Sequence, residues 1–354
     1  MPDWTSSMQQ TFEYYVVDPG TWKDKKLLTN VTGCTIQRDS SADTLGSATI
    51  DVTESVGECY IRVYLITSQN GVTEKHPMGT YMVQTPTSSF DGKVRSVSMD
   101  AYTPLLELKE NQPPIGYFAP KDSNVMELVY RLASSYSRVP VIPTPKDNTL
   151  HYDFVADTSD TWLSFTQALA SNAECLFDLD ELGRVIFVPK QEIESLQPVW
   201  TYTDDNSSIL YPAINLNHDL YDIPNVVEVI YSTGTEVLYA RVVNDDPNSP
   251  ISVPNRGRTI TRRITDPDLV GSLPTQLQIN EYAEQALKTL STIEYQISYT
   301  HAYCPVRVGD CVRFNYSKAG LTNVKAKVIS QSIQCTPGCP VQETAIFTSK
   351  LWGE

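Results

Sequence analysis

Short runs in which apolar and polar residues alternate recur along most of this chain, and they constrain its fold more than any other feature. Successive side chains of a β-strand point to opposite faces, so this alternation predicts strands with one face in a core. Turn sequences of the kind that join antiparallel strands separate the runs, among them Asp18-Pro19-Gly20, Gln69-Asn70-Gly71 and Phe90-Asp91-Gly92. The alternating runs of the first hundred residues are 12–17, 33–38, 48–52, 60–66, 79–83 and 94–99.

Alternating runs also fill the last fifty residues, where turn residues separate them again. One run follows Cys304 and enters a Gly309-Asp310 turn, a second covers residues 324–333, and a third covers residues 345–351. An Ala-Gly turn and a Pro-Gly turn lie between them. We therefore predict three or four antiparallel strands that close a small barrel in this part of the chain.

Three other segments have the spacing of helices. After Ser123, a candidate N-cap, apolar residues between 125 and 132 fall on one helical face. A second helix is predicted after Asp160, and a strand–turn–strand hairpin over residues 175–189 follows it. A third apolar pattern, at i, i+3, i+4, i+7 and onward, predicts a helix over residues 275–291. The middle of the chain is therefore predicted to be an α/β segment between two β regions.

The chain is acidic, with 42 Asp and Glu against 27 Lys and Arg and a net charge of −15. Tight binding to nucleic acid needs cationic side chains that displace counterions from phosphates, so we predict no tight nucleic-acid binding. A channel wall that DNA passes without sticking is compatible with this charge. No run of about 18 apolar residues occurs, which predicts no membrane insertion. The start of the sequence has no secretory signal pattern, which predicts folding in a cytosol.

Three segments together resemble the phage tail hub proteins of the late-control-D family. They are Cys34–Asp39 followed by Ala48–Thr53, the hairpin that contains Phe177-Asp178 and Gly183-Arg184-Val185, and Pro305–Asp310 before a hydrophobic strand. The order of elements along nearly the whole chain is also similar to that family. The resemblance implies an α+β, mainly β fold with two small antiparallel β-barrel domains and an inserted α/β domain.

On this resemblance, the first barrel domain covers residues 1–110, the α/β insertion 111–200, and the second barrel domain 201–354, with the helix near 275–291 inside it. The implied function is that of a structural hub subunit of a baseplate or tail tip. Three chains would form a ring that connects the hexameric tail tube to the trimeric central spike and surrounds the channel for the tape measure and DNA during genome ejection. The implied partners are two more copies of the chain, the tail tube or distal tail protein, the central spike protein, the tape measure protein and baseplate wedge proteins. The implied location is the tail of the virion, after assembly in the host cytoplasm.

Four of the seven cysteines lie close together in the sequence: Cys304, Cys311, Cys335 and Cys339. Their spacing has one short pair where a zinc ribbon has two. Iron–sulfur sites accept wider spacing when four thiolates converge on one cluster, and some tail tip proteins of the lambda kind, which the chain also resembles, carry such a cluster on four C-terminal cysteines. Three interpretations are open: a [4Fe-4S] cluster on these four residues, a zinc ion, or no metal, with free thiols or a Cys335–Cys339 bridge.

Catalysis requires more than this sequence offers. Asp310-Cys311 is similar to the Asp-Cys pair of papain-like cell-wall peptidases, but those enzymes need a histidine downstream, and the last histidine here is His301. The sequence contains no zinc-protease, serine-hydrolase or nucleotide-binding motif. We therefore predict that the chain is not an enzyme. The alternative functions are a tail-associated cell-wall hydrolase and a carbohydrate-binding β module.

Two further motifs have structural interpretations. Asp178, Asp180 and Gly183 are spaced like the start of a calcium loop, but no glutamate stands at the twelfth position, so a hairpin turn is predicted. A basic cluster lies in an otherwise acidic chain, and we interpret it as a solvated hairpin or a contact with an acidic neighbour in the assembly. The cluster consists of Arg256, Arg258, Arg262 and Arg263.

Overall fold

The computed structural model of the chain describes residues 2–93, 95–232, 236–267 and 275–353. The strands found in these ranges are β1 (Gln9–Asp18), β2 (Lys23–Leu28), β3 (Val31–Asp39), β4 (Gly46–Val52), β5 (Tyr60–Gln69), β6 (Val72–Phe90), β7 (Arg95–Tyr102), β8 (Phe118–Ala119), β9 (Phe154–Val155), β10 (Cys175–Leu179), β11 (Val185–Pro189), β12 (Pro198–Thr203), β13 (Leu210–His218), β14 (Val226–Ser232), β15 (Val237–Val243), β16 (Thr261–Thr265), β17 (Thr292–Ala302), β18 (Cys311–Tyr316), β19 (Leu321–Gln334) and β20 (Pro340–Lys350). The α-helices are α1 (Leu106–Lys109), α2 (Val125–Tyr136), α3 (Trp162–Asn172), α4 (Val253–Arg256) and α5 (Gln276–Leu290).

The chain divides into two compact units. Unit 1 comprises Met1–Ile214 and Ser298–Ala345, and unit 2 comprises Asn215–Ile297 and Ile346–Glu354. Each unit is thus built from segments that are far apart in the sequence. The domain boundaries predicted at residues 110 and 200 stay predictions, since they concern a finer division than these two units.

Unit 1 is built on a large, mainly antiparallel sheet, as the alternation predicts. Its strand order includes β20-β19-β3-β4-β7-β6-β5-β1-β2, while β18 pairs with β19 and, in parallel, with β12. Within the described ranges, no sheet closes into a barrel, so the two barrels are not found as closed structures. The physical reason is that alternation predicts which face of a strand is buried and not whether the first and last strands of a sheet pair. Exposed lysines at positions 23, 25 and 26 occupy the terminal strand β2, and charged side chains of this kind discourage further pairing.

The sheet of unit 1 buries one apolar face of its central strands. Ile36 of β3 lies opposite Ala48 of β4, and Ile50 of β4 lies opposite Met99 of β7. All four side chains are buried in one hydrophobic cluster. Cross-strand apolar pairs of this kind stabilise a sheet and fix its register, because a slip by one residue would turn them to the other face.

Helices α2 and α3 pack with the β10–β11 hairpin inside unit 1. The side chain of Asn124 caps α2 by accepting a hydrogen bond from the backbone of Glu127, so the N-cap lies one residue after the predicted Ser123. A reciprocal capping box between Thr161 and Ser164 starts α3. The core formed by these elements also includes Tyr60 of β5, which ties the α/β segment to the sheet.

Unit 2 contains a small sheet in the order β15-β14-β16, in which β14 and β16 are parallel. Helix α5 begins at Gln276 and ends at Leu290, close to the predicted range of 275–291. Its buried residues Ile279, Ala283 and Leu287 pack on Val227 and Val229 of β14. Across the described ranges, no helix has both the length and the apolar character needed to cross a membrane.

Candidate functional site

The four C-terminal cysteines lie at strand ends in unit 1, and all four are buried. Cys304 follows β17, Cys311 begins β18, Cys335 follows β19 and Cys339 precedes β20. The turns predicted around them are present, since Gly309 and Gly338 both have positive φ angles. The sequence therefore predicts where these thiols lie along the strands.

The structure does not gather the four thiols at one point. Cys335 pairs through its backbone with Cys34, its nitrogen donating to the carbonyl oxygen of Cys34 at 3.0 Å, whereas Cys304 contacts His301, with 3.8 Å between Sγ and Nδ1. Among the residues that the structure describes, no group of three or more His, Cys, Asp or Glu side chains is arranged to hold a metal ion. An iron–sulfur cluster or a structural zinc ion needs four converging ligands, so this arrangement gives neither any support. The cluster stays a prediction, which iron analysis of anaerobically purified protein would test.

Cys304 adjoins a fully buried ion pair between two strands of unit 1. Nε2 of His301, on β17, lies 3.2 Å from Oε1 of Glu343, on β20, and both side chains are 0% exposed. Nδ1 of His301 is directed at the carbonyl oxygen of Ala302, at 2.7 Å. Since both ring nitrogens face oxygen acceptors, we assign the doubly protonated, charged form of this imidazole.

Three more side chains donate hydrogen bonds to the carboxylate of Glu343. The hydroxyl groups of Tyr299 and Tyr202 donate to Oε2 at 2.5 and 3.3 Å, and the amide of Gln331 donates to Oε1 at 2.5 Å. These residues lie on β17, β12 and β19, so one carboxylate joins four strands. Buried polar groups are tolerated when their hydrogen bonds are satisfied, and this carboxylate meets that condition.

The pKa shifts of this cluster follow from the same contacts. Burial alone lowers the pKa of His301, but hydrogen bonds with Cys304 and Glu343 outweigh it and raise that pKa to about 10. Burial alone raises the pKa of Glu343, but the hydrogen bond and the charge of His301 hold it below its ordinary value. Burial also holds the pKa values of Tyr202 and Tyr299 well above the usual range, so both phenols stay protonated and act as donors.

Cys304, His301 and Glu343 stand in the order of a nucleophile, a base and an orienting carboxylate. Cys304 is only 1% exposed and the other two side chains are 0% exposed, so a substrate has no access to the thiol. The arrangement is therefore structural. Sequence reasoning missed it, because Glu343 is one of 42 acidic residues and only the short spacing of His301 and Cys304 gave a signal.

Two of the segments that carry the family resemblance contact each other within unit 1. The guanidinium of Arg307, which precedes the Gly309-Asp310 turn, pairs with Glu181 at 2.7 Å and with Asp178 at 3.5 Å in the β10–β11 hairpin. The side chain of Asp310 accepts a hydrogen bond from the backbone of Arg307 at 2.8 Å and so fixes the turn. The arginine therefore links the C-terminal strands to the α/β segment.

The predicted hairpin turn between β10 and β11 is confirmed. Oδ1 of Asp180 accepts hydrogen bonds from the backbone nitrogens of Leu182 and Arg184, at 3.0 and 2.8 Å. Gly183 adopts a left-handed conformation with a φ of 73°. These contacts use the aspartate to shape a turn, as in other Asx turns, and leave it no role as a calcium ligand.

A cavity of about 650 Å³ in unit 1 is lined in part by the β10–β11 hairpin and by Arg307. Its lining includes Arg38, Asp39, Met78, Tyr81 and Lys327. Both acidic and basic side chains line the cavity, together with apolar ones.

The basic cluster of the sequence has two different environments in unit 2. Arg256 ends α4 and donates a hydrogen bond to the carbonyl oxygen of Ile223 at 2.7 Å. Arg263 pairs with Glu228 at 2.8 Å on the small sheet. Arg262, on the same strand as Arg263, is exposed. The cluster is therefore divided between structural contacts and a solvated face.

No protein-family model and no curated protein sequence matches this chain. Solved structures that match it along nearly its whole length include two tail proteins. The tail protein from Neisseria meningitidis MC58 has a TM-score of 0.61 at 12% sequence identity, over 96% of this chain and 96% of that one. The 43 kDa tail protein of prophage MuSo2 from Shewanella oneidensis has a TM-score of 0.59 at 12% identity, over 95% of this chain and 98% of that one.

The chain thus has the fold of this class of tail proteins: a mainly β architecture with an α/β segment set between antiparallel strands. At 12% identity the likeness is one of fold. The resemblance to phage tail hub proteins that the sequence motifs indicate is confirmed at that level.

Proposed function

We propose that this chain is a structural hub subunit of the baseplate or tail tip of a phage or of a phage-like injection machine. The likeness to the two tail proteins covers at least 95% of the chain, and this observation carries the proposal. Both compact units take part in that likeness, so the tail-protein fold accounts for the chain as a whole. The proposed location is the virion tail, after assembly in the host cytoplasm.

In this proposal three chains form a closed ring. In this proposal the two β regions of each chain, residues 1–110 and 201–354, give six around the ring, which suits the hexameric tail tube, and the threefold symmetry suits the trimeric central spike. Closing the ring also covers open sheet edges such as that of β2. The other proposed partners are a distal tail protein, the tape measure protein and baseplate wedge proteins.

Four exposed large apolar side chains of unit 1, each on or within three residues of the paired strands β8 and β9, support a protein contact. Ile115 is 96% exposed and Tyr152 is 83% exposed. Phe118 of β8 and Val155 of β9 lie directly opposite each other, and both are exposed. Large apolar side chains gathered at the surface mark interaction sites in soluble proteins. We name Ile115, Phe118, Tyr152 and Val155 the β8–β9 patch.

The proposed role is mechanical, with no reaction catalysed. Cys304 and Cys311, the cysteines nearest a histidine and an aspartate in the sequence, are each 1% exposed, which supports a role without nucleophilic catalysis. The net charge of −15 supports a channel from which tape measure and DNA are released without sticking.

Mass photometry of the full-length chain, co-expressed with the tail tube and spike proteins of the same genome, tests the proposal. We expect a particle that contains three copies of the 39.6 kDa chain. The double variant Ile115→Asp, Tyr152→Asp should weaken this assembly and leave the circular dichroism spectrum unchanged. Val72→Asp, at an exposed position outside the patch, is the control and should assemble normally. Monomers alone in the presence of both partners would contradict the proposed hub.

A further inference from the structure

We propose that Cys34 and Cys335 are the two halves of a cross-strand disulfide site, which stays reduced in a cytosol and closes under oxidising conditions. Cys34 lies on β3 and Cys335 directly follows β19. The inference does not depend on the function proposed above. It pairs Cys335 with Cys34, which is not one of the four closely spaced C-terminal cysteines.

The register of the sheet places the two residues face to face. In the antiparallel pairing of β3 with β19, Ile36 lies opposite Ile333 and Thr35 opposite Gln334. The pairing continues by one residue, since the backbone nitrogen of Cys335 donates to the carbonyl oxygen of Cys34 at 3.0 Å. Directly opposed residues of an antiparallel pair project their side chains to the same face, with Cα atoms about 5.5 Å apart in a hydrogen-bonded pair. That separation is within the range of protein disulfides.

The two cysteine side chains also share one environment. The side chains of Cys34 and Cys335 are both buried. Both belong to one hydrophobic cluster with Tyr14 and Cys339, so the pair is largely shielded from solvent. Buried thiols react slowly with a dissolved oxidant, which keeps the pair reduced until local opening of the structure exposes it.

The reaction needs a low-molecular-weight disulfide such as oxidised glutathione as the oxidant. The thiolate of Cys335, formed by loss of its proton, attacks one sulfur of the reagent and releases one glutathione thiolate. The thiolate of Cys34 then attacks the protein sulfur of the mixed disulfide and releases the second. Two protein thiols are oxidised to one disulfide, the sulfur–sulfur bond of the reagent is reduced to two thiols, and the two protons pass to the released thiolates.

The bond would join an early strand to a late strand of unit 1, and the closed loop would contain most of the chain. A disulfide across so long a loop restricts the unfolded chain strongly, so oxidation should raise the unfolding temperature of unit 1 by roughly 5 °C or more. A Cys335–Cys339 bridge would close a loop of only a few residues and would raise it far less.

The test uses the full-length protein, purified with reductant and then held to equilibrium in oxidised glutathione with urea below the unfolding transition, which allows local opening. Remaining thiols are alkylated after full denaturation, and peptides are analysed by mass spectrometry without reduction. We expect two of the seven free thiols to be lost, one cross-link between the Cys34 and Cys335 peptides, and the rise in Tm.

Cys34→Ala and Cys335→Ala should each abolish the cross-link and the rise in Tm. Cys175→Ala, a buried cysteine in the other hydrophobic cluster of unit 1, is the matched control and should keep both. A Cys335–Cys339 cross-link in the unaltered chain, seven intact thiols at equilibrium, or iron bound through Cys335 would each overturn the proposal.

Discussion

At the scale of the residue, Glu343 combines full burial with a negative charge, a combination that proteins accept only where the charge is paired. Removing the charge leaves the imidazolium of His301 without a counter-charge in the core. We therefore expect Glu343→Gln to lower the free energy of unfolding by about 3–5 kcal/mol, the range for breaking a buried ion pair. Chemical denaturation followed by fluorescence measures the loss.

A surface ion pair of the same unit provides the control for this change. Glu13 pairs with Lys75 at 3.1 Å, and both side chains are more than a third exposed. Glu13→Gln should alter the free energy of unfolding by less than about 1 kcal/mol, because solvent screens such pairs. Equal losses in the two variants would show that the burial of Glu343 has no energetic consequence.

The same pair predicts how stability depends on pH. The pKa of His301 in the folded chain, about 10, lies above the reference value of 6.5, so its contribution is complete below pH 6.5 and is lost as the pH rises toward 10. The pKa of Glu343 lies below its reference value of 4.5, so its contribution is complete above pH 4.5 and is lost as the pH falls. The pair should therefore stabilise unit 1 most between pH 4.5 and 6.5.

The measurement compares the free energy of unfolding of the unaltered chain with that of His301→Gln between pH 6.5 and pH 10. The difference in the free energy of unfolding between the two should shrink steadily from pH 6.5 to pH 10. Tyr202 and Tyr299 are present in both proteins, so their own titration cancels to first order. A difference that is the same at every pH would mean that the imidazole is neutral in the folded chain.

Sequence reasoning could place single residues on strands but could not pair them across the sheet. It located Cys335 at a turn beside a strand, yet the residue opposite it, Cys34, lies in another part of the chain. Nothing in the spacing of the cysteines indicates that neighbour, because strand pairing is set by the whole sheet. For the same reason the partners of Glu343, which come from three other strands, could not be identified beforehand.

At the scale of the element, the β10–β11 hairpin depends on Gly183. This residue has a φ of 73°, and a Cβ atom placed there would lie 2.7 Å from the Cβ of Thr80. Gly71, in the turn between β5 and β6, has a φ of 79°, and a Cβ atom placed on it would have no neighbour within 4 Å. Both positions disfavour alanine by about 1–2 kcal/mol because of the left-handed conformation.

The clash at Gly183 adds to that common cost. We expect Gly183→Ala to lower the free energy of unfolding by about 1 kcal/mol or more beyond the loss caused by Gly71→Ala, since overpacking costs about 1–3 kcal/mol. Urea denaturation of the two variants measures the difference. Equal losses would indicate that Thr80 moves aside without cost.

Secondary-structure elements were predicted well where the sequence carries a regular apolar pattern or a characteristic turn. The apolar spacing that ends near Leu290 gave α5 almost to the residue, and the Asp180–Gly183 turn gave the hairpin. The N-cap of α2 was displaced by one residue, because Ser123 and Asn124 have equal capping chemistry and only the backbone decides between them. The closure of the sheets was not predictable, because it depends on edges that alternation does not describe.

At the scale of the whole molecule, the charge of −15 predicts negligible binding to DNA at physiological salt. Fluorescence anisotropy with a labelled duplex should show no binding at micromolar protein concentration. If the chain did bind DNA, the exposed Arg262 is the residue that we would expect to contact it. Sub-micromolar binding that Arg262→Glu abolishes would contradict a channel wall that DNA does not adhere to.

The order of elements was enough to indicate the tail-protein fold from a few motifs, although the matching structures share only 12% of their residues with this chain. Segments such as Pro305–Asp310 and Phe177–Val185 carried that inference because turns and hairpins need particular residues. Which segments make up each of the two units could not be predicted from such motifs, since each unit combines segments from distant parts of the chain.

The pairing of β3 with β19 joins residues that a ribosome makes far apart in time. Gln37 and Ser332, which face each other across this pair, are 295 residues apart. At roughly 5–20 residues per second, the second strand is synthesised roughly 15–60 s after the first. Throughout that interval one edge of β3 is unpaired on the nascent chain and open to pairing with other chains. We therefore expect the yield of soluble protein to depend on chaperone supply during translation more than on the stability of the finished fold.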